Sequence, residues 1–158
     1  MKKQITPCLW FDTRAEEAAK FYCSIFPNSR ITEISYFGDA GPRPAGMVLT
    51  VGFELDGQQY TALNGGPEFK FSEAVSLQIF CDTQDEVDRY WSALIADGGE
   101  ESVCGWLKDK FGFSWQVVPN RLIELMQDPD KAKAKRATEA MMKMRKIDIA
   151  MVEKAAQG

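Results

Sequence analysis

The sequence predicts an α+β fold in which a strand–helix–strand–strand–strand unit occurs twice and is followed by helices. Three observations predict it. Two segments recur at a fixed offset: Leu9-Trp10-Phe11-Asp12-Thr13 running on to Glu16 and Phe21, and Ile79-Phe80-Cys81-Asp82-Thr83 running on to Glu86 and Trp91. Self-similarity of this kind is sought first, because it decides the fold. Each copy changes from a short apolar run to a helical spacing of apolar residues, and each helix is followed by further β-like segments.

The elements follow in order. Each apolar run, rich in Leu, Ile, Phe and Trp, is a strand. Thr13-x-x-Glu16 and Thr83-x-x-Glu86 both read as capping boxes, the threonine accepting from a first-turn N–H and the glutamate reaching back to the cap. Asp12 and Asp82 are assigned to the same caps. The first helix turns Ala15, Ala18, Ala19, Tyr22, Ile25 and Phe26 towards a core and stops near Pro27. The second turns Val87, Tyr90, Trp91, Leu94 and Ile95 inward and stops at Asp97-Gly98-Gly99, where glycine takes the left-handed cap.

In the first copy, Ile31 to Phe37 and Met47 to Leu55 are strands, and Asp56-Gly57 turns the chain back into Gln58 to Leu63. In the second, Glu101 to Leu107 reads as one strand, and Asp109 to Gly112 turns into the strand Phe113 to Val118. Asn64-Gly65-Gly66-Pro67 begins the linker. Beyond Pro119, Leu122 to Met126 is a short helical turn. Lys131 to Ala156 is helical by composition, with Ala137, Met141, Met144, Ile147 and Met151 on one face that packs on a core or a second subunit. The chain of 158 residues is of one-domain length, with modules at about 4–66 and 72–120 and C-terminal helices at about 121–156.

Composition narrows the function. The net charge is −4 without a basic stripe, which disfavours nucleic acid. No apolar run approaches the ~18 residues that span a bilayer, and the N-terminus lacks the long apolar stretch of a signal peptide, so a cytoplasmic protein with no membrane partner is expected. Cys8, Cys23, Cys81 and Cys104 read as reduced thiols in apolar surroundings. There is no histidine.

Ile5-Thr6-Pro7-Cys8-Leu9-Trp10-Phe11, Ala15-Glu16-Glu17-Ala18-Ala19-Lys20-Phe21-Tyr22, Thr83-Gln84-Asp85-Glu86-Val87-Asp88, Gly112-Phe113-Ser114-Trp115-Gln116-Val117-Val118-Pro119 and Ala140 to Ala150 carry a resemblance over nearly the whole chain. It is to the PhnB-like, 3-demethylubiquinone-9 3-methyltransferase-like group of the vicinal-oxygen-chelate superfamily, which includes glyoxalase I, extradiol dioxygenases and bleomycin-resistance proteins. The resemblance implies that each βαβββ unit is a half-barrel, that two halves enclose a cleft, and that the protein is a homodimer. In the superfamily's metalloenzymes, histidine from a first strand and glutamate from a last strand hold a divalent metal that acts as a Lewis acid.

By that resemblance the first-strand ligand falls near Pro7 in one half and at Ser76 to Gln78 in the other. The last-strand glutamate falls on Gln116, and on Thr61, Ala62 and Asn64 in the first half. An amide is a poorer divalent ligand than a carboxylate, so no metal and no cofactor is expected. The candidate pocket residues are Gln116, Asn64, Trp10, Cys8, Gln78 and Trp106, with Trp10, Trp106 and Trp115 read as a possible aromatic wall. The expected function is binding of a small aromatic or amphipathic molecule. Two other readings stand beside it: a divalent-metal-dependent lyase, isomerase or dioxygenase with non-histidine ligands, and a structural or regulatory dimer. The methyltransferase label finds no glycine-rich cofactor turn in the sequence.

Overall fold

The structure is a computed structural model that describes residues 5–158. The chain divides into two compact units, one ending at Lys70 and the other beginning at Phe71.

The first unit runs β1 (Cys8–Phe11), α1 (Ala15–Ile25), β2 (Arg30–Tyr36), β3 (Val48–Leu55) and β4 (Gln58–Asn64). Its sheet has the order β1-β4-β3-β2, with β1 parallel to β4 and the other pairs antiparallel. Side chains alternate across a sheet, so one face carries Leu9, Phe11, Val51, Phe53 and Ala62, all buried. Helix α1 covers that face. Ala15, Ala18 and Ala19 are fully buried on it because small side chains let the helix lie close. Asp56 and Gly57 both take positive φ, 46° and 79°, as the expected two-residue hairpin turn requires.

The second unit repeats the plan with β5 (Ser76–Cys81), α2 (Gln84–Ile95), β6 (Glu100–Glu101), β7 (Trp106–Lys108) and β8 (Ser114–Pro119). The order β5-β8-β7-β6, with β5 parallel to β8, matches the first sheet. Helix α2 packs on the face bearing Ile79, Leu107, Trp115 and Val117. The helices α3 (Asn120–Met126), α4 (Lys131–Met141) and α5 (Ile149–Gln157) follow. Leu122, Leu125, Ala137, Ile147, Val152 and Ala156 form their core, with Met141 and Met144 packed against it.

The α+β architecture with two βαβββ repeats and a helical extension is as the sequence predicts, and four local expectations are corrected. The Thr13 box does not form: α1 is preceded by Arg14 without a side-chain cap, and Glu16 pairs with Lys20 at 2.6 Å. The Thr83 box does form, with Glu86 N–H donating to Thr83 Oγ1 at 3.2 Å. Nor do Asp12 and Asp82 cap helices. Asp12 pairs with Arg43 at 3.0 Å and Asp82 accepts from Asn120 Nδ2 at 2.6 Å.

The stretch from Glu101 to Leu107 is not one strand. Cys104 and Gly105 take positive φ, 57° and 81°, and split it into β6 and β7. Finally, the C-terminal helix breaks between Met141 and Ile149, so Met151 lies on a separate helix, 59% exposed. The break is held by other elements. Cys104 and Gly105 N–H donate to the carbonyls of Met144 and Arg145, each at 2.8 Å. The Gln84 amide donates to Ile147 O at 3.1 Å and accepts from Ile149 N–H at 2.9 Å.

Candidate functional site

In the second unit, strand register sets three of the predicted residues side by side. Gln78 of β5 lies opposite Gln116 of β8, and Gln116 lies opposite Trp106 of β7. All three project from the face opposite α2. Gln116 Nε2 donates to Ser76 Oγ at 2.8 Å, and its Oε1 accepts from Gln78 Nε2 over a longer 3.4 Å. An amide pair has two acceptor oxygens and four N–H donors, so capacity remains for a ligand. The Trp106 indole is half-buried, and its N–H has no partner among the described residues.

Beside this row, along β6 and β7, is a cavity of about 520 Å³. Trp106, Ser114, Lys108, Glu73 and Glu100 line it. Ser114 and Lys108 belong to the open face because each lies two residues from a member of the row. Lys108 Nζ is 2.5 Å from Glu73 Oε1. The pair holds the Glu73 carboxyl below its ordinary value and the Lys108 ammonium above its own, chiefly through their hydrogen bond. Of these lining residues, sequence reasoning selected Trp106 alone. Period-2 spacing from Gln116 back to Ser114 and from Trp106 on to Lys108 was the available signal.

The other predicted residues lie in the first unit. Cys8 is opposite Thr61, so the pair corresponds by repeat to Gln78 and Gln116. Trp10 shares the open face with Cys8, but its indole N–H is held by Gly66 O at 2.8 Å. Its ring packs edge-on against Phe69 with centroids 4.9 Å apart. Asn64 is on the opposite face, 2% exposed. Its Oδ1 accepts from Ala15 N–H at 2.8 Å and its Nδ2 donates to Val48 O at 3.0 Å. Asn64 therefore satisfies the start of α1 in place of the absent Thr13 cap.

Trp115 is on the helix side, fully buried, donating to Asp109 Oδ2 at 2.8 Å. It forms no wall with Trp106. Asp109 also accepts from the N–H groups of Phe111 and Phe113 at 2.8 and 3.1 Å and so organises the β7–β8 turn. Cys81 is buried, which pushes its thiol up to about 11, so it is protonated and inert at neutral pH.

The donor set does not fit a divalent metal. The positions that the resemblance matches to metal ligands hold Ser76 to Gln78 and Gln116 in the second unit, and Pro7, Thr61, Ala62 and Asn64 in the first. Among the described residues no three His, Cys, Asp or Glu side chains gather to hold an ion. Nor is any helix among them long and apolar enough to cross a membrane.

The family model described as 3-demethylubiquinone-9 3-methyltransferase matches residues 3–118. No protein of curated function matches the chain. Among solved structures, the PhnB protein of Bacillus cereus is 35% identical, covering 74% of this chain and 99% of its own, with a TM-score of 0.67. A Pseudomonas aeruginosa protein is 22% identical over 75% of this chain and 98% of its own, with a TM-score of 0.61. The fosfomycin resistance protein FosX of Listeria monocytogenes, 13% identical over 76% of this chain and 94% of its own with a TM-score of 0.51, shares the fold. The chain therefore belongs to the 3-demethylubiquinone-9 3-methyltransferase family, in its PhnB-like group.

Proposed function

We propose that this protein binds a small aromatic or amphipathic organic molecule on the open face of its second unit. Gln78 and Gln116 hydrogen-bond the ligand and Trp106 supplies an apolar surface. The observation that carries the reading is the register that sets these three side chains in one row across β5, β8 and β7. An apolar surface with a few convergent polar groups is the usual make-up of a small-molecule site. Neutral amides where the superfamily places metal ligands favour hydrogen-bond recognition.

The family description names a methyl transfer, but the residues do not fit the nucleotide-type cofactor of that chemistry. The turns after β1 and β5, Asp12-Thr13-Arg14 and Asp82-Thr83, contain no glycine. Each sheet has a single parallel pair rather than a parallel core. We also propose a homodimer, as the family resemblance implies; a monomer by sedimentation at micromolar concentration would refute it.

An aromatic fragment library tests the binding reading, with thermal shift and tryptophan fluorescence as readouts. A binder should raise the melting temperature of the wild type and lose at least ~10-fold in affinity in Gln116→Ala, about 1.4 kcal/mol. A library without a single binder, or binders indifferent to Gln116→Ala and Trp106→Ala, would sink the reading.

A further inference from the structure

The cavity along β6 and β7 has a charge that the amide row does not explain. Glu73, Glu100 and Glu101 line it against one ammonium, Lys108. Two of the carboxylates are committed. Glu73 holds Lys108. Glu101 accepts from Trp91 Nε1 at 2.8 Å and lies 3.5 Å from Arg145 Nη1. Glu100 stands opposite Lys108 in the ladder yet makes no ion pair among the described residues. Lys108 is bonded to Glu73 and also lies in the field of Glu100, so one ammonium faces two carboxylates and the charged lining stays net negative.

A second observation is independent of the acids. Ser114 lines the same cavity, is 1% exposed, and its hydroxyl has no hydrogen-bond partner among the described residues. A buried hydroxyl without a partner costs roughly 1–3 kcal/mol, and few are left so without a reason. Here it lies just beneath the wall of a cavity that a ligand can fill. Between Glu100 and Ser114 lies Lys108 in register, so the two are two strands apart, roughly 10 Å at the usual strand spacing. Trp106, two residues from Lys108 along β7, lines the same cavity with its indole N–H unpartnered among the described residues, and a tryptophan face attracts a cation.

We propose that this cavity takes an amphipathic organic amine: an ammonium at Glu100, an aromatic body on Trp106, and a hydrogen-bonding group at its far end on Ser114. The proposal rests on the small-molecule reading above, shares Trp106 with it, and adds the sign of the charge and the length of the ligand. A carboxylate at the same end meets Glu100 and is repelled. A neutral alcohol there leaves the negative charge uncompensated.

Four probes of one shape decide it by isothermal titration: tyramine, its neutral analogue tyrosol, its anionic analogue 4-hydroxyphenylacetate, and phenethylamine, which lacks the far hydroxyl. Tyramine should bind about 10-fold tighter than tyrosol, and 4-hydroxyphenylacetate more weakly than either. Glu100→Gln should bring tyramine and tyrosol within about twofold. Ser114→Ala, which removes an unsatisfied buried hydroxyl and so should fold, ought to erase the difference between tyramine and phenethylamine. Tyrosol or 4-hydroxyphenylacetate binding as tightly as tyramine would overturn the amine assignment and leave the small-molecule reading standing. So would silence from all four probes beside a Gln116-dependent hit in the fragment library. Silence in both experiments would overturn both readings.

Discussion

Removing the Asn64 amide should destabilise the protein far more than removing either threonine of the repeated Thr-x-x-Glu motif. Asn64→Ala abolishes the bonds to Ala15 N–H and Val48 O at a position 2% exposed, where water does not replace them. Each orphaned backbone group costs roughly 1–3 kcal/mol, so the sum is about 3–4 kcal/mol. Thr83→Ala breaks a formed capping box and should cost about 1 kcal/mol. Thr13→Ala touches no cap and should stay within about 0.5 kcal/mol of wild type. Urea titrations followed by far-UV circular dichroism separate the three. With a slope of about 2 kcal/mol/M, the midpoints should fall by roughly 1.5–2 M, 0.5 M and less than 0.25 M. The reasoning fails if Thr13→Ala costs as much as Thr83→Ala, because α1 would then carry a local cap after all. It fails equally if Asn64→Ala is near neutral.

Two further outcomes follow from the packing and the charges. A Cβ at Gly65 would enter the Trp10 indole at Cζ2 and Cε2, so Gly65→Ala should cost about 1–3 kcal/mol and shift tryptophan emission to the red as the bond to Gly66 O breaks; unchanged emission and stability would count against the contact. Glu54, Glu73, Asp88 and Asp128 are held below their ordinary values, first by hydrogen bonds from Arg30, Lys108, Lys146 and Lys133. Groups depressed in the folded state bind fewer protons there than in the unfolded chain, so their stabilisation is present above the ordinary carboxylate range and lost as pH falls through the folded values. The melting temperature should therefore drop between about pH 5 and pH 2.5, modestly because these pairs are exposed. A flat profile over that range would contradict the assignment.

The repeat was legible because both units use the same local physics: an apolar run, a turn, and a helix whose small and aromatic residues face one way. Its caps were not equally legible. Thr13 and Thr83 stand in the same local pattern, and what separates them lies far along the chain. Phe11 faces Asn64 across β1 and β4, whereas Cys81 faces Pro119 across β5 and β8. Where the distant partner is an amide it reaches the helix N-terminus; where it is proline the local threonine must do so. The amide row at Gln78 and Gln116 was readable by offset, since period-2 alternation fixes which face a strand residue takes. Glu100 was not, because its residue type marks no site until neighbouring strands bring it to the cavity. The break at 142–148 was hidden by a composition that favours helix throughout; backbone carbonyls claimed by Cys104 and Gly105 override it.

That last contact has a bearing on the proposed site. The family model ends at residue 118, so α3 to α5 lie outside the matched region. Yet this segment meets the matched one at Cys104 and Gly105, and the short stretch of Ser102, Val103 and Cys104 is a wall of the cavity. A change of length or sequence around Met144 and Arg145 therefore moves that wall without altering a single residue of the sheet. The appended helices work as an external adjusting screw. They let the wall of the proposed site shift while the strands that carry the fold stay as they are.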